Sequence, residues 1–344
     1  MSNVTETADA PEPVKLPEDT AKRGAWYQGA LGRNLGLILA LIVLIIVGVA
    51  TSGERFLSVE NLMTILRLAS AMGVLSIGMT FVITTGGIDL SVGAVMGLAT
   101  IWASTLATQT MADKYHWTLM VFTALAVGLV AGLINGVIIA YGKVVPFIAT
   151  LAMMVAARGL AEIISNRQTQ LVNVTGFTSA LRGDFLGVPV LVWLFALVAV
   201  IGWVVLNRTT FGRRTVAVGG NAEAARLAGI RVKRQLVYVY SLCGLTAGIA
   251  AVMMLARTNS GSSTHGYLYE LDAIAAVVVG GTLLIGGRGT IVGTVLGVLL
   301  FTTLTNVFIQ NNMSTSAQAV AKGIIIVVAV LLQQRFTNSK SQST

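Results

Sequence analysis

Long apolar runs, one after another, constrain this chain more than any other feature. "LGLILALIVLIIVGVA" (35–50) and "VLVWLFALVAVIGWVVL" (190–206) contain no charged side chain. Hydrocarbon offers no water to a backbone N–H or C=O, so a lipid-exposed stretch must satisfy those groups within itself, as a helix does. About 20 residues of helix cross a bilayer. With shorter or Gly-interrupted spans admitted, the sequence predicts ten: 35–52, 62–84, 89–109, 117–141, 146–165, 188–206, 236–256, 271–286, 289–309 and 317–334. The fold class is an all-α integral membrane protein. Within 62–109 and again within 271–309, only a Gly-rich bend separates the two spans.

Charge gives the orientation. Lys and Arg gather in cytoplasmic loops, and with the amino terminus inside, 15 of the 23 basic residues fall in inside loops and 5 outside. The other three, Arg67, Arg158 and Lys322, lie within spans. Both termini are then cytoplasmic. Residues 1–34 form a disordered cytoplasmic tail and not a cleaved signal, because they carry acids and prolines and no apolar core. Residues 35–335 form the membrane domain, with a cytoplasmic loop at 207–235, and 336–344 a second tail. The net charge of +9 is scattered between apolar spans, which excludes a nucleic-acid face.

"FVITTGGIDLSVGAVMG" (81–97) and "VVVGGTLLIGGRGTIVGTVLG" (277–297) each end an apolar run at glycines and restart another. Helices 2–5 and 7–10 of ten would run in opposite senses, so the echo reads either as an inverted repeat or as chance likeness between Gly-rich helices. The spacings Gly128, Gly132, Gly136 and Gly289, Gly293, Gly297 lay smooth stripes on their helices. Such stripes let backbones approach where lipid gives helices no hydrophobic reason to associate.

Most site chemistry is missing. Gly142-Lys143 is followed by Val144 and not by the hydroxyl that a nucleotide-binding loop needs, so the chain does not hydrolyse ATP. His116 and His265 fall in external loops without partners at ligand spacing, and Cys243 is a lone packing residue, so no metal is expected. No nucleophile elbow or paired carboxylate occurs, and the chain is not read as an enzyme. Asp89, after Gly86-Gly87, is either an N-cap accepting from the N–H of Ser91 or Val92 or part of a pathway or hinge. Asp272 presents the same choice, with capping favoured. Arg158 and Glu162 stand one turn apart and are able to pair.

The most charged stretch is "GGNAEAARLAGIRVKRQ" (219–235). Asn221 suits the cap of a short helix beginning at Ala222. Glu223 stands in its first turn, where the helix dipole favours an anion, and Gly229 suits its end. Ala224, Ala225 and Ala228 leave one side slim. A stub of about two turns gains little by folding alone, so it reads as a peg for another protein's groove. The plainer reading is a charged connector that fixes topology.

Glu223-Ala224-Ala225 followed by Gly229 resembles the coupling loop of ATP-binding-cassette importer permeases. "GGIDLSVG" (86–93), "VPFIATLAMMVAARGL" (145–160), "TTFGRRTVAVGGNAEAARLAGIRV" (209–232) and "YELDAIAAVVVGGTLLIGGRGTIVGTVLG" (269–297) resemble the ribose, xylose and arabinose branch of that family. The resemblance implies a bacterial plasma (inner) membrane permease for a monosaccharide or related polyol. It implies as partners a second copy of the chain, a cytoplasmic ATPase subunit that holds ATP and Mg, and an extracytoplasmic sugar-binding protein; lipid surrounds the bundle, and the chain itself binds no cofactor. Gly220, Asn221, Glu223, Ala224, Ala225, Arg226 and Gly229 would meet the ATPase. Gly86, Gly87 and Asp89 would form a gate hinge, and Asn135, Phe147 and Asn306, chosen as polar or aromatic side chains in apolar helices, would line the pathway. The alternative is an ion-coupled carrier working alone.

Overall fold

The computed structural model describes residues 30–325 and 327. The expected tails, 1–34 up to residue 29 and 336–344, lie outside the described residues, as does the second half of the span expected at 317–334. The helices are α1 (Ala30–Ser52), α2 (Val59–Thr84), α3 (Val92–Ser104), α4 (Leu106–Lys114), α5 (Thr118–Ala140), α6 (Pro146–Ser165), α7 (Thr175–Arg182), α8 (Val190–Arg208), α9 (Thr210–Gly220), α10 (Ala222–Leu227), α11 (Val232–Thr258), α12 (Tyr269–Val279) and α13 (Ile291–Gln310). A 3-10 turn, Gly53–Leu57, follows α1, and a further helical run covers 315–325. Seven of the described helices, α1, α2, α5, α6, α8, α11 and α13, are long and apolar enough to cross a membrane.

Helix starts follow local side-chain chemistry. Ser58, Thr105, Thr209 and Thr290 each accept a hydrogen bond from the N–H three residues on, opening α2, α4, α9 and α13. Pro146 opens α6 at a position that needs no N–H.

α2 and α11 are the most buried spans and carry the centre of the core, including Leu75, Met79, Phe81, Tyr240, Met253 and Leu255. α5 lies against α11 with almost no side chain between them: a Cβ on Gly132 would sit 3.0 Å from Gly244 Cα, and one on Gly136 would sit 2.8 Å from Val237 Cα. The first stripe is thus a packing surface. Of the second, Gly293 and Gly297 face the backbone of Gly280 and Ala276 in the same way, while Gly289 lies before α13, against Thr84.

Two expected spans differ from the structure. The run 89–109 divides into α3 and α4, because Thr105 is extended (ψ 148°) and its hydroxyl caps the second helix. The run 271–286 is helical only from Tyr269 to Val279; Gly281 turns the chain at φ +90°, and Leu283 N–H donates to Arg288 O (3.1 Å) across a tight turn. The segment after α11, expected as an external loop, lies along α3. Its Gly261 abuts Ser104 and its Gly266 abuts Gly93, with a Cβ on Gly97 2.8 Å from His265 O between them. It also pairs Ser260–Gly261 with Gln170–Leu171 as a two-residue antiparallel ladder.

Candidate functional site

The 207–235 loop folds as two helices held on the bundle. Gln235 anchors the first, its Nε2 donating to Phe211 O (3.1 Å) and Thr215 Oγ1 (2.8 Å) of α9. α9 ends in Gly219-Gly220, and Asn221 then caps α10, its Oδ1 accepting from Ala224 N–H at 2.9 Å. Gly229 closes the stub at φ +84°, a backbone region costly to any other residue type except Asn or Asp. Both termini of the expected stub are therefore present.

Its faces divide unequally. Ala222, Glu223, Ala224, Arg226 and Leu227 are exposed, Leu227 at 74%, whereas Ala225 is buried against the body and Ile230 N–H donates to its carbonyl (3.0 Å). Ala225 thus seats the stub and leaves the outward face to its neighbours. Glu223 and Arg226 pair with each other, Nη2 to Oε1 at 2.6 Å, and this hydrogen bond holds the Glu223 carboxyl below its ordinary 4.5. Both side chains remain more than half exposed, so the pair contributes little to stability.

Immediately before the stub, three backbone segments meet. Gly219 lies against Thr84 O and Gly287 N, Gly286 against Gly219 O and Gly86 N, and Gly287 N–H donates to Thr84 O at 3.0 Å. Beside them is a cleft of about 290 Å³ lined by Thr85, Gly86, Gly87, Lys143, Ala222 and Tyr240, among others.

Asp89 stands beyond the Gly86-Gly87 turn, 1% exposed. Its Oδ1 accepts from Ser91 N–H (2.9 Å) and Ser91 Oγ–H (2.6 Å), and Ser91 Oγ accepts from Asn135 Nδ2 (2.9 Å). The expected bond to Ser91 N–H is present, but the cap position itself is Ser91, which makes no side-chain cap. Asp89 and Asn135 therefore belong to one buried hydrogen-bonded chain. Asn306 is elsewhere, its Nδ2 donating to Asn61 Oδ1 (2.8 Å) toward the far end of α13, and Phe147 is half-exposed in the first turn of α6. Asn306 is bonded to Asn61 and not to the Asp89 chain, whereas Phe147 stands three residues before Thr150, whose hydroxyl donates to the carbonyl of Ile88, next to Asp89 (3.3 Å).

Other polar residues also find partners that sequence spacing did not give. Asp272 caps nothing: it lies inside α12, and its Oδ2 pairs with Lys322 Nζ at 2.8 Å. Glu162 pairs with Arg167 (2.9 Å), while Arg158 donates to the carbonyls of Ser263 and His265 and fastens that segment to α6. Thr84, Gly219, Tyr240, Gly286 and Gly287 were not among the site residues expected from sequence, and Ser91 was expected only through its N–H. A signal for several of them existed, since Gly-Gly occurs at 86–87, 219–220 and 286–287. Among the described residues, no group of His, Cys, Asp or Glu is arranged to hold a metal ion.

A family model described as "branched-chain amino acid transport system / permease component" matches residues 61–330. The chain is 44% identical to the ribose import permease protein of Bacillus subtilis, over 92% of this chain and 97% of that one. It is 36% identical to the galactose/methyl galactoside import permease protein of Escherichia coli K12 (86% and 93%) and 34% identical to the L-arabinose ABC transporter permease protein of Azospirillum brasilense (97% and 96%). No solved structure matches.

Proposed function

We propose that this chain, which belongs to the family of branched-chain amino acid transport system permease components, is the membrane-spanning subunit of an ATP-driven importer of a monosaccharide. The three relatives are named for ribose, galactose and arabinose, which favours a pentose or hexose over an amino acid as the solute. Ribose is the first to test, because the ribose relative shares 44% of its residues over nearly the whole chain. The permease is a multi-pass protein of the plasma membrane. ATP is bound and hydrolysed on a separate subunit, and a binding protein outside delivers the sugar.

One observation carries the coupling role: α10 is a short, capped and largely exposed helix set directly on the junction of three backbone segments. A connector that only fixed topology would need neither the Asn221 cap nor the seat under Ala225. Closure of paired ATPase subunits would press on α10, and two copies of the bundle would rock between outward and inward states.

The ten-crossing arrangement completes this reading. α1, α2, α3, α5, α6, α8, α11, α12, α13 and the run from 315 form the crossings, with both termini in the cytoplasm. The short helices α3 and α12 occupy corresponding places in the two halves, each following one of the two most buried spans. Their starts approach each other, Gly93 lying against the Glu270 side chain. Discontinuous helices in matching positions of two halves are a mark of inverted repeats.

Reconstitution tests the proposal. Vesicles holding the chain with its ATPase subunit, supplied with ribose-binding protein and internal ATP, are expected to accumulate ribose after the ion gradients are collapsed. Vesicles holding the chain alone are expected to accumulate none; uptake by the chain alone, driven by a proton or sodium gradient, refutes the proposal in favour of the carrier.

A further inference from the structure

We infer that the meeting of the segments 84–87, 219–220 and 285–289 is the joint through which displacement of α10 reaches both halves of the bundle, with Gly219 as its seat. The inference rests on α10 being the ATPase contact. At Gly219, Gly286 and Gly287 the contact is main chain against main chain. A Cβ on Gly219 would overlap Thr84 O and lie 2.6 Å from Gly287 N; a Cβ on Gly286 would lie 2.8 Å from both Gly219 O and Gly86 N. At those glycines no flexible side chain stands between the segments to absorb a push, and close-packed interiors transmit strain.

Each segment also contains or adjoins a helix end. Thr84 is the last residue of α2, Gly219-Gly220 end α9 and lead through Asn221 into α10, and Gly289 precedes the Thr290 cap of α13. Gly287 N–H donates to Thr84 O (3.0 Å), Gly289 abuts Thr84 Oγ1, and one turn farther along α2 the hydroxyls of Thr80 and Thr294 are 2.8 Å apart. α2, from the first half of the chain, and α13, from the second, are thus tied together where α9 touches them.

A second observation gives the joint somewhere to move. The cleft of about 290 Å³ borders Gly86-Gly87 and Ala222 at once, so it lies between the hinge turn and the stub. The Tyr240 hydroxyl, against which Gly87 packs, is buried without a hydrogen-bond partner among the described residues. A shift of this turn therefore breaks no bond to that hydroxyl. Gly219 is a positioning residue: it touches neither sugar nor nucleotide, and sets how motion of the stub is passed on.

The test is Gly219→Ala in the complex with ATPase subunit and ribose-binding protein, with Gly159→Ala as control, since no atom lies within 4 Å of a Cβ there. The Gly219→Ala complex is expected to assemble and keep basal ATP hydrolysis, while stimulation by ribose-loaded binding protein and ribose uptake are both lost. The control is expected to keep all four properties. Full stimulation and uptake in Gly219→Ala overturn the joint and leave the importer reading intact, whereas failure of the native chain to capture any ATPase subunit overturns that reading itself. Should Gly219→Ala not accumulate, amide hydrogen exchange on the native complex decides. ATP with vanadate is expected to change exchange in 85–87 and 285–289 together, and unchanged exchange in either segment overturns the inference.

Discussion

Asp89 offers the sharpest measurement of what a buried acid does here. Its Oδ1 is the acceptor for both the N–H and the hydroxyl of Ser91, and the residue is 1% exposed. In Asp89→Ala the buried Ser91 N–H loses its partner, at about 1–3 kcal/mol. The Ser91 hydroxyl rotates to another acceptor at little cost, and the space vacated by the carboxyl adds about 1 kcal/mol. The expected destabilisation is therefore about 2–4 kcal/mol, several degrees in melting temperature for the detergent-purified chain. Asp89→Asn keeps an acceptor at the same place and loses only the charge-assisted share of the bond, about 1 kcal/mol. Thermal unfolding followed by ribose uptake in cells reads both effects. Parental melting in Asp89→Ala refutes the supporting role derived from these distances. A well-folded Asp89→Asn chain without uptake shows that accepting from Ser91 is not the whole of its function and assigns one to its charge.

Three further outcomes follow from the geometry. Glu223→Trp, on the outward face of the stub, or Gly229→Val, at φ +84°, is expected to abolish uptake while membrane abundance persists, and normal uptake in both excludes α10 as a gripped element. Gly132→Leu drives a side chain into Gly244 Cα, 3.0 Å from the Cβ position, and is expected to cost at least about 1–3 kcal/mol of thermal stability; unchanged melting refutes direct backbone packing of α5 on α11. Asp272→Asn leaves the partly buried Lys322 ammonium unpaired and is expected to destabilise by up to about 3–5 kcal/mol, with Asp272→Lys/Lys322→Asp recovering part of the loss; additive effects of the two single exchanges in a double-mutant cycle refute the pairing.

What the sequence made legible was whatever depends on local pattern. Apolar length marked α1, α5, α6, α8 and α11, and glycine spacing marked the face that α5 turns to α11. Asn221 and Gly229 marked the two ends of α10. The misses share a cause. A hydropathy window averages over Thr105, whose hydroxyl stops one helix and starts the next, so α3 and α4 merged into one span. Asp272 and Lys322 are fifty positions apart, and no periodicity along one helix relates them. Capping of α12 was the obvious local role for Asp272, and a distant lysine displaced it.

Three of the chain's four Gly-Gly pairs, 86–87, 219–220 and 286–287, show where local reading stops. Each pair by itself is adequately explained as a turn or a helix end, since glycine is what such positions favour. Their common requirement appears only when the chain is folded: at Gly219 and Gly286 a side chain is excluded by the backbone of other segments. A contact of that kind is invisible to residue chemistry because it consists of missing atoms, yet it is stiffer than one between long side chains, which would yield by changing rotamer. The cap and closing glycine of the stub at 221–229 can be read from the sequence; the backbone contact that adjoins it, between 84–87, 219–220 and 285–289, exists only in the folded chain.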